Sequence, residues 1–208
     1  MSDLFDTAAE RSPLLAILRG FSPTRTVELC HAAWNAGAEL VEVPIQDDSA
    51  HPSLAAAVRA GHEAGRVVGA GTVTTLDRLA VARELGAAFT VAPGFDPEVA
   101  TASRDSGMPH LPGVATPTEI QHALAAGFVW LKAFPAAQLG PEWIRAVRAP
   151  FPEARFVATG GVTPDNARAF LDAGAHLVAI GHAITTLDDG WRHDAASRHT
   201  DAATEDPA

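Results

Sequence analysis

The chain has no tyrosine, one cysteine and two methionines among its 208 residues. With Cys30 alone, no internal disulfide can form. Cys30 falls on an apolar helix face with Val27, Leu29, Ala33 and Trp34, where a buried inert thiol is expected rather than a nucleophile. Positive charge is also scarce: 15 Lys and Arg stand against 25 Asp and Glu, a net charge of −10. That balance argues against nucleic-acid and anionic-membrane partners, although a local positive patch for a small anion remains compatible with it. No secretory pattern opens the chain and no apolar run approaches bilayer length, so a cytoplasmic, soluble protein is expected. None of the nine histidines stands in HxxH, HxH or HExxH spacing, so no metal site is expected.

Short apolar runs alternate with amphipathic stretches. The runs are Leu14–Leu18, Leu40–Ile45, Val67–Val73, Ala88–Ala92, His110–Val114, Phe128–Ala133, Arg155–Thr159 and Leu177–Ile180, eight candidate strands. Helical patterns lie between them: Thr24–Ala36, Ser53–Ala64, Thr75–Leu85, Pro97–Ser106, Thr116–Ala125, Pro141–Ala149 and Pro164–Ala173. Ser22-Pro23, Thr116-Pro117 and Thr163-Pro164 read as helix starts. Gly37, Gly65, Gly86, Gly127 and Gly174 read as left-handed C-caps. Strands separated by helices pair in parallel, and eight such units predict an α/β fold, a single-domain (β/α)₈ barrel over residues 1–191. A doubly wound sheet is the rival, but no GxGxxG follows the first strand. The first ten residues are placed as a helix closing the barrel bottom, and residues 192–208 as a polar, mobile tail.

In such a barrel, chemistry gathers at the C-terminal strand ends. Lys132 interrupts the apolar run Val129-Trp130-Leu131-Lys132-Ala133-Phe134, and Glu42 interrupts Leu40-Val41-Glu42-Val43-Pro44-Ile45. An unpaired buried charge costs several kcal/mol, and a buried lysine responds by shedding its proton, which makes it a nucleophile toward carbonyls. Period-2 alternation that points Lys132 inward takes Trp130 with it and sends Val129 and Leu131 to the helices; Glu42 inward sends Val41 and Val43 outward; Arg19 inward takes Ile17 and sends Ala16 and Leu18 outward. Other candidates at strand ends are Gln46, Thr72, Pro93, Thr116, Phe134, Thr159, Gly160, Gly161, Gly181 and His182. Each has a plainer reading: Lys132 and Glu42 as a structural ion pair, Arg19 as a surface residue, Gly160-Gly161 as a tight turn. A glycine turn before a helix also suits a phosphate.

Seven segments in order, Leu15-Ala16-Ile17-Leu18-Arg19-Gly20, Val41-Glu42-Val43-Pro44, Gly69-Ala70-Gly71-Thr72-Val73, Ala92-Pro93-Gly94, Pro112-Gly113-Val114-Ala115-Thr116-Pro117, Leu131-Lys132-Ala133-Phe134-Pro135-Ala136 and Gly160-Gly161-Val162, resemble the class I 2-keto-3-deoxy-6-phosphogluconate and 6-phosphogalactonate aldolases. The resemblance runs from about residue 12 to 186. It implies a barrel, a homotrimer, and a lyase that splits a keto-deoxy sugar acid to pyruvate and an aldehyde such as glyceraldehyde 3-phosphate, with no metal and no cofactor. By position, Lys132 is the Schiff-base lysine, Glu42 the general acid/base, Thr72 a carboxylate contact, and Gly160, Gly161 and Gly181 the phosphate cradle. Phosphogluconate-type members carry an arginine at the position of Gln46; phosphogalactonate-type members instead have the arginine of Leu-Arg-Gly, here Arg19, and the Glu-Val-Pro form leans the same way. The serine expected after the last-strand glycine is His182, which bears on whether the substrate is phosphorylated. An epimerase-like or thiamine-phosphate-synthase-like barrel enzyme, or a non-catalytic sugar-acid binder, is the alternative.

Overall fold

The computed structural model describes residues 4–181, 183 and 184. Among these described residues, nine strands, all paired in parallel, form one sheet: β1 (Leu14–Ile17), β2 (Leu40–Pro44), β3 (Val67–Gly71), β4 (Thr90–Val91), β5 (His110–Leu111), β6 (Gly113–Val114), β7 (Trp130–Ala133), β8 (Arg155–Thr159) and β9 (Leu177–Ile180). Their order is β5-β4-β3-β2-β1-β9-β8-β7-β6. The two ends of that order are one run of chain. Pro112 divides the expected fifth strand because it has no N–H to donate, yet its carbonyl accepts from the Lys132 N–H at 2.8 Å. His110–Leu111 pairs with β4 and Gly113–Val114 pairs with β7, so the sheet comes round on itself. The fold is the expected (β/α)₈ barrel with its fifth strand split.

The helices are α1 (Leu4–Arg11), α2 (Pro23–Asn35), α3 (His51–Ala64), α4 (Leu76–Glu84), α5 (Pro97–Asp105), α6 (Pro117–Ala125), α7 (Ala136–Leu139), α8 (Pro141–Arg148) and α9 (Pro164–Asp172). A three-residue 3₁₀ turn, Asp48–Ala50, precedes α3. That turn and the four-residue α7 have too short a pattern to stand out in sequence. Ser22, Thr116 and Thr163 cap their helices, and all five anticipated C-cap glycines have positive φ. Cys30 is buried under α2, and burial pushes its thiol up to about 12.

The strand alternation divides the core in two. Leu14, Ala16, Val41, Val43, Leu131, Ala133, Phe156 and Ala158 pack outward beneath the helices. Leu15, Leu40, Phe89, Val91, Leu111, Trp130, Val157 and Leu177 fill the interior. Phe5 of α1 enters this inner cluster, its ring 5.6 Å from Phe89 and 5.9 Å from Trp130. Trp130 Nε1 donates to Asp6 at 2.9 Å, and Arg155 pairs with the same carboxylate. Helix α1 therefore stoppers the N-terminal mouth.

One polar chain lies outside the barrel. Ser103 of α5 donates to the Met108 carbonyl at 3.0 Å, leaving its single proton committed. Thr90 must then donate to Ser103 (2.6 Å), and His110 Nδ1–H to Thr90 (2.7 Å). This clips α5 to β4 and β5. Burial, opposed by Asp96, depresses the imidazole from 6.5 to about 4. The unfolded chain binds the extra proton between those values, so stability should fall as pH drops from 6.5 toward 4, by about 3 kcal/mol in all. Denaturant titrations across that window should give a flatter slope for His110→Asn than for the unaltered chain.

Candidate active site

Lys132 on β7 and Glu42 on β2 both point into the barrel, on the layer above Trp130 and Leu40. Nζ and Oε1 stand 3.8 Å apart, with the side chains 6% and 1% exposed. That separation is too long for a hydrogen bond. Glu42 Oε1 is buried with no hydrogen-bond partner. Such an orphan costs roughly 1–3 kcal/mol and asks for a reason. Burial holds the Lys132 amine below the usual lysine range; Glu42 opposes that and nearby Arg19 adds to it. The Phe134 ring flanks the amine, its centroid 5.5 Å from Nζ.

The two glycines of Gly69-Ala70-Gly71 are explained by their neighbours. A Cβ on Gly69 would come within 2.3 Å of the Phe89 ring. A Cβ on Gly71 would come within 1.9 Å of Glu42 Oε1. The bare backbone of β3 is what makes room for the carboxylate beside it.

Arg19 lies two residues beyond β1, at the open mouth. Its guanidinium donates to Gln46 Oε1 at 3.0 Å and to Thr72 Oγ1 at 3.2 Å. Thr72 has φ +58°, a left-handed conformation that a β-branched residue rarely adopts. Such strain costs about 1–3 kcal/mol and gathers at functional sites. Here it accompanies a hydroxyl aimed at Arg19.

Thr159 is buried on β8 in register with the inward Val157, to whose carbonyl its hydroxyl donates at 3.3 Å. Gly160 and Gly161 follow with φ +94° and +72°. Helix α7 packs against this turn: Ala137 N–H donates to the Gly160 carbonyl at 2.9 Å, and a Cβ on Gly161 would meet Ala137 Cβ at 2.5 Å. Gly181 follows β9, and His182 lies outside the described residues. Two candidates are engaged elsewhere. Thr116 forms a capping box with Glu119. Pro93 lines an exterior cavity of about 240 Å³ with Val73, Thr74 and Phe95, which neither Lys132 nor Glu42 lines. Asp47, whose carboxylate accepts from Gln46 Nε2 at 3.1 Å, is a contributor that sequence reading passed over. Its signal was present as Asp-Asp-Ser just after the glutamate strand, a run that favours an Asx turn.

Comparison with known proteins agrees with this fold. The sequence matches the family model described as "Aldolase: KDPG and KHG aldolase" over residues 6–195. It is 37% identical over 171 residues to 2-dehydro-3-deoxy-6-phosphogalactonate aldolase of Escherichia coli K12, covering 81% of this chain and 82% of that one. It is 33% identical over 163 residues to the KHG/KDPG aldolase of the same organism, covering 78% and 76%. A solved structure titled "Native KDPGal structure" superposes with a TM-score of 0.81 at 31% identity, over 91% of this chain and 96% of that one. The buried lysine, the carboxylate facing it and the barrel that holds them thus sit in a chain that belongs to the KDPG and KHG aldolase family, and the protein is an aldolase, a lyase.

Proposed function

We propose that this chain is a class I aldolase that splits a 2-keto-3-deoxy sugar acid, 6-phosphorylated and of the galactonate type, to pyruvate and glyceraldehyde 3-phosphate. The observation that carries the reading is the Lys132–Glu42 pair, buried together at 3.8 Å with a carboxylate oxygen that has no protein partner. Lys132 attacks the C2 ketone. Glu42, which has taken the ammonium proton of Lys132, delivers it to the carbinolamine hydroxyl so that water leaves and the iminium forms. Glu42 then takes the C4 hydroxyl proton, the C3–C4 bond breaks, and the electrons pass into the iminium to give an enamine. Glu42 returns the proton to C3, and hydrolysis frees pyruvate and the amine. The depressed basicity of Lys132 supplies the free amine the first step requires.

Arg19 is the carboxylate clamp in this reading. Its planar fork suits a carboxylate, and Gln46 stands where an arginine would otherwise serve. The galactonate preference rests on that substitution and on the name of the relative at 37% identity. Gly160 and Gly161, before the N-terminus of α9, are the backbone proposed to cradle the phosphate, and the sequence resemblance assigns Gly181 to the same role.

Lys132 is the only lysine in the chain, which makes the test unusually clean. Incubation with pyruvate and borohydride should give one reduced adduct on the Lys132 peptide, and cleavage of 6-phosphorylated keto-deoxygalactonate should persist in EDTA. An unmodified Lys132 peptide would rule out the Schiff-base route. Faster cleavage of the gluconate epimer would reverse the substrate preference.

A further inference from the structure

Gln46 is wired at both ends of its side chain. Its Nε2 donates to Asp47 Oδ2 at 3.1 Å, and its Oε1 accepts from Arg19 at 3.0 Å. Its backbone carbonyl is also fixed, by Arg78 Nη2 of α4 at 2.6 Å. Asp47 is held in turn: Oδ1 accepts from the Ser49 N–H at 3.0 Å and from the Ser49 hydroxyl, closing the turn that starts the 3₁₀ segment. Hydrogen bonds from Ser49 and then Gln46 keep its carboxyl below the usual range, so it is an acceptor at neutral pH.

An amide can present either its carbonyl or its NH₂ to a neighbour. Beside an arginine, which has donors only, the carbonyl end makes the hydrogen bond, and what remains to be fixed is where that carbonyl stands. Here the carboxylate of Asp47 accepts but cannot donate, so it selects the rotamer in which Nε2 faces Asp47 and Oε1 faces Arg19. We propose that Asp47, acting through Gln46, is a positioning residue that orients the Arg19 guanidinium for the carboxylate of the keto acid. The relay rests on the reading of Arg19 as the carboxylate clamp. With Nη1 tied to Gln46 and Nη2 to Thr72, the guanidinium plane is set from two sides. Arg has five N–H donors, so three remain for an incoming carboxylate.

The relay predicts a defect confined to ligands that carry a carboxylate. In Asp47→Asn the turn still needs an acceptor at the Ser49 end, which leaves the new NH₂ facing Gln46 Nε2. Gln46 Nε2 then loses the acceptor that anchors it, so Oε1 is no longer held at one place in front of Arg19. Borohydride trapping on Lys132 can be titrated with two ketones, pyruvate and acetone, of which only pyruvate has a carboxylate. Half-saturating pyruvate should rise roughly 3- to 10-fold in Asp47→Asn, the net worth of one ordinary hydrogen bond, while acetone trapping stays as in the wild type. Gln46→Leu, which removes the acceptor itself, should show the same selective rise. Adding Asp47→Asn to it should change nothing further, because both act through one contact. An unshifted pyruvate titration in Asp47→Asn overturns the relay, as does an equal shift for both ketones, which would mark a general disturbance of the mouth. Failure of the wild-type chain to trap pyruvate at all would instead strike at the aldolase reading, so the two failures are distinguishable.

Discussion

Lys132→Ala should release no pyruvate above the uncatalysed rate from any keto-deoxy sugar acid, a loss on the order of 10⁴ or more in kcat/KM. The substitution leaves a chain with no lysine, so a reduced pyruvate adduct could form only at the N-terminal amine. Whole-protein mass after borohydride therefore reads the outcome directly. In the wild type the same experiment has a pH signature. Burial, reinforced by Arg19, holds the amine below its ordinary 10.5, with Glu42 pulling the other way. The neutral, nucleophilic form is populated above the depressed value and lost as pH falls through it. The trapping rate should thus climb from the acid side and level off well before 10.5, whereas a solvated lysine would keep gaining to that value. Retained cleavage in Lys132→Ala, or a rate that rises without a plateau up to 10.5, would remove the buried amine from the chemistry.

The barrel was legible because its physics is local. Period-2 alternation placed Val41 and Val43 outward and Trp130 inward, and the two core clusters divide along that line. A charge within a buried strand is visible for the same reason, so Lys132 and Glu42 stood out before any geometry was known. The facts missed are of a different kind. The split of the fifth strand depends on which neighbour Pro112 meets, and its carbonyl is used although its nitrogen cannot be. Helix α7 is four residues long and exists where it packs the Gly160-Gly161 turn. Asp47 acts through a contact one residue away whose meaning depends on Arg19, 27 positions from Gln46 in the chain. The sequence also contained a signal that alternation does not use: with 15 basic residues and a single lysine among them, the lysine that remains sits in a buried strand.

Glu42→Gln should lower kcat by roughly 10²–10⁴ while leaving the fold intact, because glutamine matches the carboxylate in size. The amide cannot shuttle a proton, so both carbinolamine dehydration and C3–C4 cleavage slow. A second readout separates this from general damage. Glu42 is the influence that raises the Lys132 basicity against burial, so its neutralisation should depress the amine further. The acid limb of pyruvate trapping should therefore move to lower pH in Glu42→Gln even as turnover collapses. A lesion that merely loosened the barrel would hydrate Lys132 and move that limb the other way. Gly71→Ala approaches the same group from outside. Its new methyl would lie 1.9 Å from Oε1, a distance no non-bonded carbon and oxygen can share, so the carboxylate must leave its place. That variant keeps the acid in the chain and should still lose turnover on a scale comparable to Glu42→Gln. Full activity in Gly71→Ala would mean that the position of Glu42 beside Lys132 is irrelevant to the reaction, whereas loss in both variants makes the requirement one of placement as well as of chemistry.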